Sequence, residues 1–115
     1  MNQEKVVLCG ANAYEEKYYF NEQFAGIPKS IQDELRVICV LFTQEAGGVF
    51  TIAFDEEGDL LLETDAHEDD ITYDEVTSGL LIGEVRRKRI ELLESLSMFY
   101  RAFILKEKIE DLLED

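Results

Sequence analysis

Carboxylates dominate what this chain could do chemically. Between Val37 and Val85 there is no lysine or arginine, yet 13 of the chain's 26 acidic residues fall there. Asp55, Glu56, Glu57 and Asp59 form one group, and Glu68, Asp69 and Asp70 a second. Ionised side chains of this kind accept hydrogen bonds from ammonium and guanidinium donors, so the seven residues make a candidate partner-binding acidic face. Clustered carboxylates also suit hard cations, but the spacing argues against a calcium loop: taking Gly58 as the loop glycine puts Ala53 at the first ligand position. No metal-ligating set is predicted.

The nucleophiles offer less. Cys9 and Cys39 sit in apolar surroundings, Val-Val-Leu-Cys and Val-Ile-Cys-Val, which fits buried, reduced thiols, and neither belongs to a Cys-x-x-Cys pair. His67 is the only histidine. A Cys9–His67 nucleophile pair would need an orienting third group, and no spacing supplies one. Gly10 stands alone after its strand, without the glycine pattern that cradles phosphate. Tyr14, Tyr18, Tyr19, Phe20 and Phe24 crowd aromatic side chains into the first quarter, where packing explains them and a stacking pocket is the alternative. Arg86, Arg87, Lys88 and Arg89 are consecutive, so they spread around a helix; pairing with Glu91, Glu94 or the acidic segment is expected. Catalytic residues and cofactors are therefore expected to be absent.

A net charge of −15 disfavours nucleic acid and anionic membranes as partners and favours a basic protein. No apolar run approaches the roughly 20 residues that span a bilayer. The N-terminus, Met1-Asn2-Gln3-Glu4-Lys5, lacks the features of a signal peptide, which points to the cytoplasm.

The elements that must position these groups follow from periodicity. At 115 residues, 46% hydrophobic and 32% charged, the chain suits one globular domain over 1–115. The expected class is α+β: a small antiparallel sheet with strands at about 5–9, 17–21, 49–54 and 60–64, packed with helices at about 28–46 and 74–105. Val49 to Thr64 reads as a hairpin around Phe50, Ile52 and Phe54, with Gly58 serving its turn. Pro28 opens the first helix, with Ser30 and Asp33 as an alternative cap pair and carboxylates in the first turn. Ile31, Leu35, Ile38, Cys39 and Phe42 form its buried face, and Gly47-Gly48 stops it. Val37, Val40 and Leu41 add apolar surface outside that face, so a second helix or a second subunit should cover it.

A loop follows over 66–74, with a short strand at Ile71 to Tyr73 as an option, and Asp74 caps the last helix. Val76, Leu80, Val85, Leu92, Leu96, Phe99 and Phe103 lie near one face of it, and Leu93, Tyr100 and Ile104 widen that face. Gly79 and Gly83 mark a break or a close backbone approach. Unbroken, that helix would reach roughly 48 Å and overhang a domain of this size, favouring a homodimer. The acidic tail, about 106–115, should fray.

Val7-Leu8-Cys9-Gly10-Ala11-Asn12, Lys17-Tyr18-Tyr19-Phe20-Asn21 and Val40-Leu41-Phe42-Thr43, followed by Gly47-Gly48, resemble an uncharacterised family of small acidic bacterial proteins, a domain of unknown function. The resemblance spans most of the chain and implies no activity, cofactor or site residue. The functional expectation is a small cytoplasmic interaction or regulatory module, homodimeric, whose acidic face engages a basic partner. The alternatives are a small-ligand-binding or enzymatic domain built on the aromatic cluster with Cys9 or His67, and a nucleic-acid mimic.

Overall fold

A computed structural model describes residues 5–106. Strands β1 (Val6–Asn12), β2 (Lys17–Phe20), β3 (Val49–Phe54) and β4 (Leu60–Asp65) form one antiparallel sheet in the order β2-β1-β3-β4. The α+β class is as expected, and β3 and β4 form the expected hairpin. Strand β1 runs further than the expected 5–9, through Gly10 to Asn12, where a loop was expected. Gly10 allows this: a Cβ there would lie 2.7 Å from the carbonyl oxygen of Phe50, so only glycine lets β3 approach in register. The chain turns at 13–16 instead. There the Asn12 side-chain oxygen accepts the N–H groups of Tyr14 and Glu15, and Glu16 adopts a φ of 53°.

Antiparallel register puts Cys9, Ala11, Phe50, Ile52, Phe54, Leu60 and Leu62 on one face of the sheet. Helix α1 (Lys29–Ala46) lies against it, burying Leu35, Ile38, Cys39, Phe42 and Ala46. Pro28 is the residue before the first helical position, and the first turn carries no carboxylate. Asp33 falls just beyond that turn and pairs with Lys29 at 2.7 Å. Gly47 and Gly48, with φ of 82° and 70°, end the helix as expected. Phe42 stacks on Phe50 at 4.0 Å between ring centroids, and Phe54 stacks on Tyr100 at 4.5 Å.

Asp74 caps α2 (Glu75–Lys88) as expected, accepting Thr77 N–H at 3.0 Å. The expected helix over 74–105 is divided. It breaks at Arg89 (φ −115°, ψ 27°), continues as α3 (Ile90–Phe99) and ends in a π-helical turn, Tyr100–Leu105. Neither Gly79 nor Gly83 causes the break, and no atom beyond their own helix approaches either one closely. The break and the wider π turn each shift the helical phase, so the buried stripe differs from the one expected. Val76, Leu80 and Phe103 of that stripe are exposed, whereas Leu96 and the flanking Leu93 and Tyr100 are buried as expected. Residues 71–73 form no strand, and Ile71 points into solvent. The tail beyond Lys106 lies outside the described residues. No described helix is long and apolar enough to cross a membrane.

Two substitutions separate helix propensity from packing in the last helices. Gly83→Ala should raise stability by about 1 kcal/mol, because an added Cβ meets open space. Tyr100→Ala should cost about 3–5 kcal/mol by emptying the site between Phe54 and Phe24. Urea unfolding of the two variants checks both signs.

Candidate functional site

The seven acidic residues singled out from the sequence do not share one surface. Asp55, Glu56, Glu57 and Asp59 occupy the β3–β4 turn, whereas Glu68, Asp69 and Asp70 lie in the loop between β4 and α2. The whole of β4 separates them, a span of roughly 20 Å at 3.3 Å per residue. At the turn, the Asp55 carboxylate accepts the N–H groups of Glu57 and Asp59, at 2.8 and 3.0 Å. Asp59 is ion-paired with Arg101 at 2.6 Å. Glu56 and Glu57 are left facing solvent, with no ion pair among the described residues.

The loop end is more elaborately built. Three connections meet there: the β1–β2 turn, the Gly47-Gly48 bend and the β4–α2 loop. The N–H of Ala13 donates to the carbonyl of Gly48 at 2.9 Å. A Cβ at Gly48 would meet the Asp65 carbonyl oxygen at 2.5 Å and the Tyr73 ring at 3.0 Å. Tyr14 joins the first connection to the third. Its hydroxyl donates to Asp70 Oδ2 at 2.6 Å and accepts the His67 N–H at 3.0 Å. Its ring stacks on the His67 imidazole at 3.7 Å, with 6° between the planes. Asp70 Oδ1 accepts both the N–H and the hydroxyl of Thr72, and Tyr73 donates its hydroxyl to the buried Ser78.

These ties surround an open cleft of about 540 Å³, lined by Asp65, His67, Glu68, Asp70, Tyr73 and Glu75 among others. Hydrogen bonds from Thr72 and then from Tyr14 hold the Asp70 carboxyl below the usual range. The same bond, from the other side, raises the Tyr14 phenol, because its proton is shared with a carboxylate. Among the described residues no serine or cysteine is hydrogen-bonded to His67, and no three His, Cys, Asp or Glu side chains converge to hold a metal ion. What this cleft offers is acceptor oxygen.

The other candidates disperse. Cys9 and Cys39 are buried and unbridged, facing each other between β1 and α1 with sulfurs 3.8 Å apart. The contact with Cys9, and then burial, pushes the Cys39 thiol up, so it stays protonated. Cys9 is thus occupied in the core and does not meet His67. The aromatic cluster also separates: Tyr14 goes to the cleft, Phe24 to the core beside Tyr100, and Tyr18 lies under Arg36, 5.7 Å from the ring centroid. Among the described residues the basic run pairs with neither Glu91 nor Glu94; Lys88 binds Glu84 of the acidic segment, the other expected partner, while Arg89 binds Glu34 on α1 and Arg86 donates to the Leu60 carbonyl. Sequence reasoning missed Tyr14 as the organiser of the loop. Its partner Asp70 lies 56 positions away, and no local pattern encodes that separation.

The fold and the cleft define a small α+β protein with an acidic, tyrosine-braced loop end. The sequence profile of DUF6145, a family of unknown function, matches residues 5–108, and the chain belongs to that family. No curated protein and no solved structure matches it.

Because the folded state lowers the Asp70 pKa, its contribution to stability is present above the unfolded carboxylate pKa and fades as the pH falls through the folded value. Asp70→Asn should therefore lower Tm at pH 7, and the gap to the parent protein should close on acidification. Thermal scans from pH 7 to pH 2 test this. A gap that persists at the acid end would mean that geometry, not charge, is what the substitution removes.

Proposed function

We propose that the protein is a homodimeric interaction module whose loop-end cleft takes up a basic segment of another protein. One observation carries this reading: the cleft is lined by four carboxylates, Asp65, Glu68, Asp70 and Glu75, and by no lysine or arginine. Lysine and arginine side chains donate strong charge-assisted hydrogen bonds to such oxygens. The net charge of −15 would speed their approach at low ionic strength. Asp65 and Asp70 hold the loop in shape, so Glu68 and Glu75 are the cleft carboxylates available to a partner.

The dimer reading rests on α1. Helix α2 packs beside it, antiparallel, with Arg89 paired to Glu34 at one end and the Asp74 N–H directed to the Ala46 carbonyl at the other. This leaves Val37 and Leu41, one turn apart, 50% and 51% exposed. Leu41 lines a groove with Glu45 towards one end and Lys88 and Arg89 towards the other, and Val37 lies one helical turn from Leu41. A two-fold axis across that groove sets acid against base while covering the leucine and valine.

Binding of an arginine-rich peptide, followed by fluorescence anisotropy, tests the first reading. Glu68→Gln with Glu75→Gln should weaken it by about tenfold, while Glu56→Gln with Glu57→Gln, at the far end, should change it little. Equal losses would reduce the effect to overall charge. For the second reading, sedimentation at micromolar concentration should give twice the 13.2 kDa chain mass, and Val37→Glu with Leu41→Glu should return the monomer. A parent protein that sediments at 13.2 kDa ends the dimer proposal.

A further inference from the structure

Two arginines fifteen positions apart, Arg86 on α2 and Arg101 in the π turn, reach the same corner of the sheet. Arg86 donates to the Leu60 carbonyl oxygen at 3.2 Å, and Arg101 binds the Asp59 carboxylate at 2.6 Å and the Glu57 carbonyl at 2.9 Å. Between them lies an open cleft of about 730 Å³ with apolar walls from Leu60, Ile90, Leu93 and Met98. That volume falls within the range of roughly 300–1,000 Å³ typical of small-molecule sites. Ser97 forms part of its lining; it is only 8% exposed, and its hydroxyl has no hydrogen-bond partner. A helical serine ordinarily bonds back to the carbonyl one turn earlier, so an unpartnered buried hydroxyl at this position is unusual.

We infer that this cleft is a binding site for a small monocarboxylate with an apolar body, separate from the acidic cleft and independent of the interaction role proposed for it. Pairing, not the sum of charges, selects a single negative charge: Asp59 and Glu94 balance the two arginines of the lining, but Arg86 is left without an ion pair among the described residues. Asp59 neutralises Arg101, whereas Arg86 has no carboxylate within ion-pair distance among the described residues. Its guanidinium is fixed by one bond to Leu60 and keeps further N–H donors for a planar, bidentate acceptor. The apolar walls take the body of the ligand. Its carboxylate pairs with the Arg86 guanidinium, and the Ser97 hydroxyl in the lining is the second donor. Glu94, on the rim, acts against a ligand with a second negative charge.

Octanoate is the probe, with octan-1-ol as its uncharged counterpart, followed through backbone amide shifts of the full chain. Octanoate should give saturable shifts centred on Leu60, Leu93 and Met98, with octan-1-ol weaker by about tenfold or more. Arg86→Gln should weaken octanoate by about tenfold and leave octan-1-ol unchanged; Ser97→Ala should weaken it severalfold. Met98→Glu, at an exposed position, places a repelling charge in the cleft without touching the core and should also abolish binding. It replaces Arg86→Gln as the deciding variant if the latter fails to fold. The inference is overturned by equal binding of acid and alcohol, by shifts that map elsewhere, by octanoate affinity indifferent to Arg86→Gln or Met98→Glu, or by no saturable shift at millimolar octanoate.

Discussion

The segment joining α1 to α2 must fold without a cation of its own, and much of the structure follows from how it does so. Four of its six aspartates are spent on the backbone. Asp55 gathers two N–H groups to make the hairpin turn, Asp65 takes the N–H of Ala66, Asp70 closes the loop on Thr72, and Asp74 caps α2. A short side chain reaches its own neighbouring N–H groups, which is why aspartate serves in turns and caps. Glutamate is one methylene longer and does this less well. Glu56, Glu57, Glu68 and Glu75 accordingly project outward, and they set the character of the surface. Cations enter only from outside the segment, as Lys5 on Glu63 and Arg101 on Asp59.

This division explains which parts of the fold were legible in the sequence. Helix α1, the β3–β4 hairpin and the Asp74 cap are specified by residues within a few positions of one another, and each stands where periodicity and cap chemistry place it. Strand β1 was misjudged because Gly10 has two meanings. Locally it ends a strand; in the sheet it is the one residue that fits under the Phe50 carbonyl. The break at Arg89 escaped for a related reason. The residues around it favour helix, and no glycine or proline marks it. Tertiary contacts on both sides, Arg89 with Glu34 and Tyr100 with Phe54, fix where the two segments must lie. Once the phase shifts there, a stripe drawn through Val76, Leu80 and Phe103 describes the solvent side.

The acidic face was legible as composition and illegible as geometry. In sequence the two groups are separated by a few residues of strand, and a strand is the element that carries its ends furthest apart. The hairpin therefore sends one group to each end of the sheet. Tyr14 shows the converse. From the far end of the chain it ties one of those groups to the β1–β2 turn through a hydroxyl that acts as both donor and acceptor. The result is a loop held at several points, with its carboxylates kept near a fixed geometry instead of dispersed in solvent.

The long-range and short-range electrostatics of the molecule consequently point in different directions. Out to about a Debye length, roughly 8–10 Å, the summed field of the surface is negative and attracts approaching cations, and beyond it salt screens that field. Closer in, the loop end presents oxygen acceptors, while the corner between Arg86 and Arg101 presents donors over an apolar floor. Added salt screens the first effect more than the second. It should slow the capture of a basic segment by the loop end, and it should relieve the repulsion that opposes an anion entering the arginine corner. Opposite salt dependences at the two ends of one small sheet would thus follow from a single cause: a chain that concentrates its acids where it has no bases and brings Arg86 and Arg101 to a corner where Asp59 already waits.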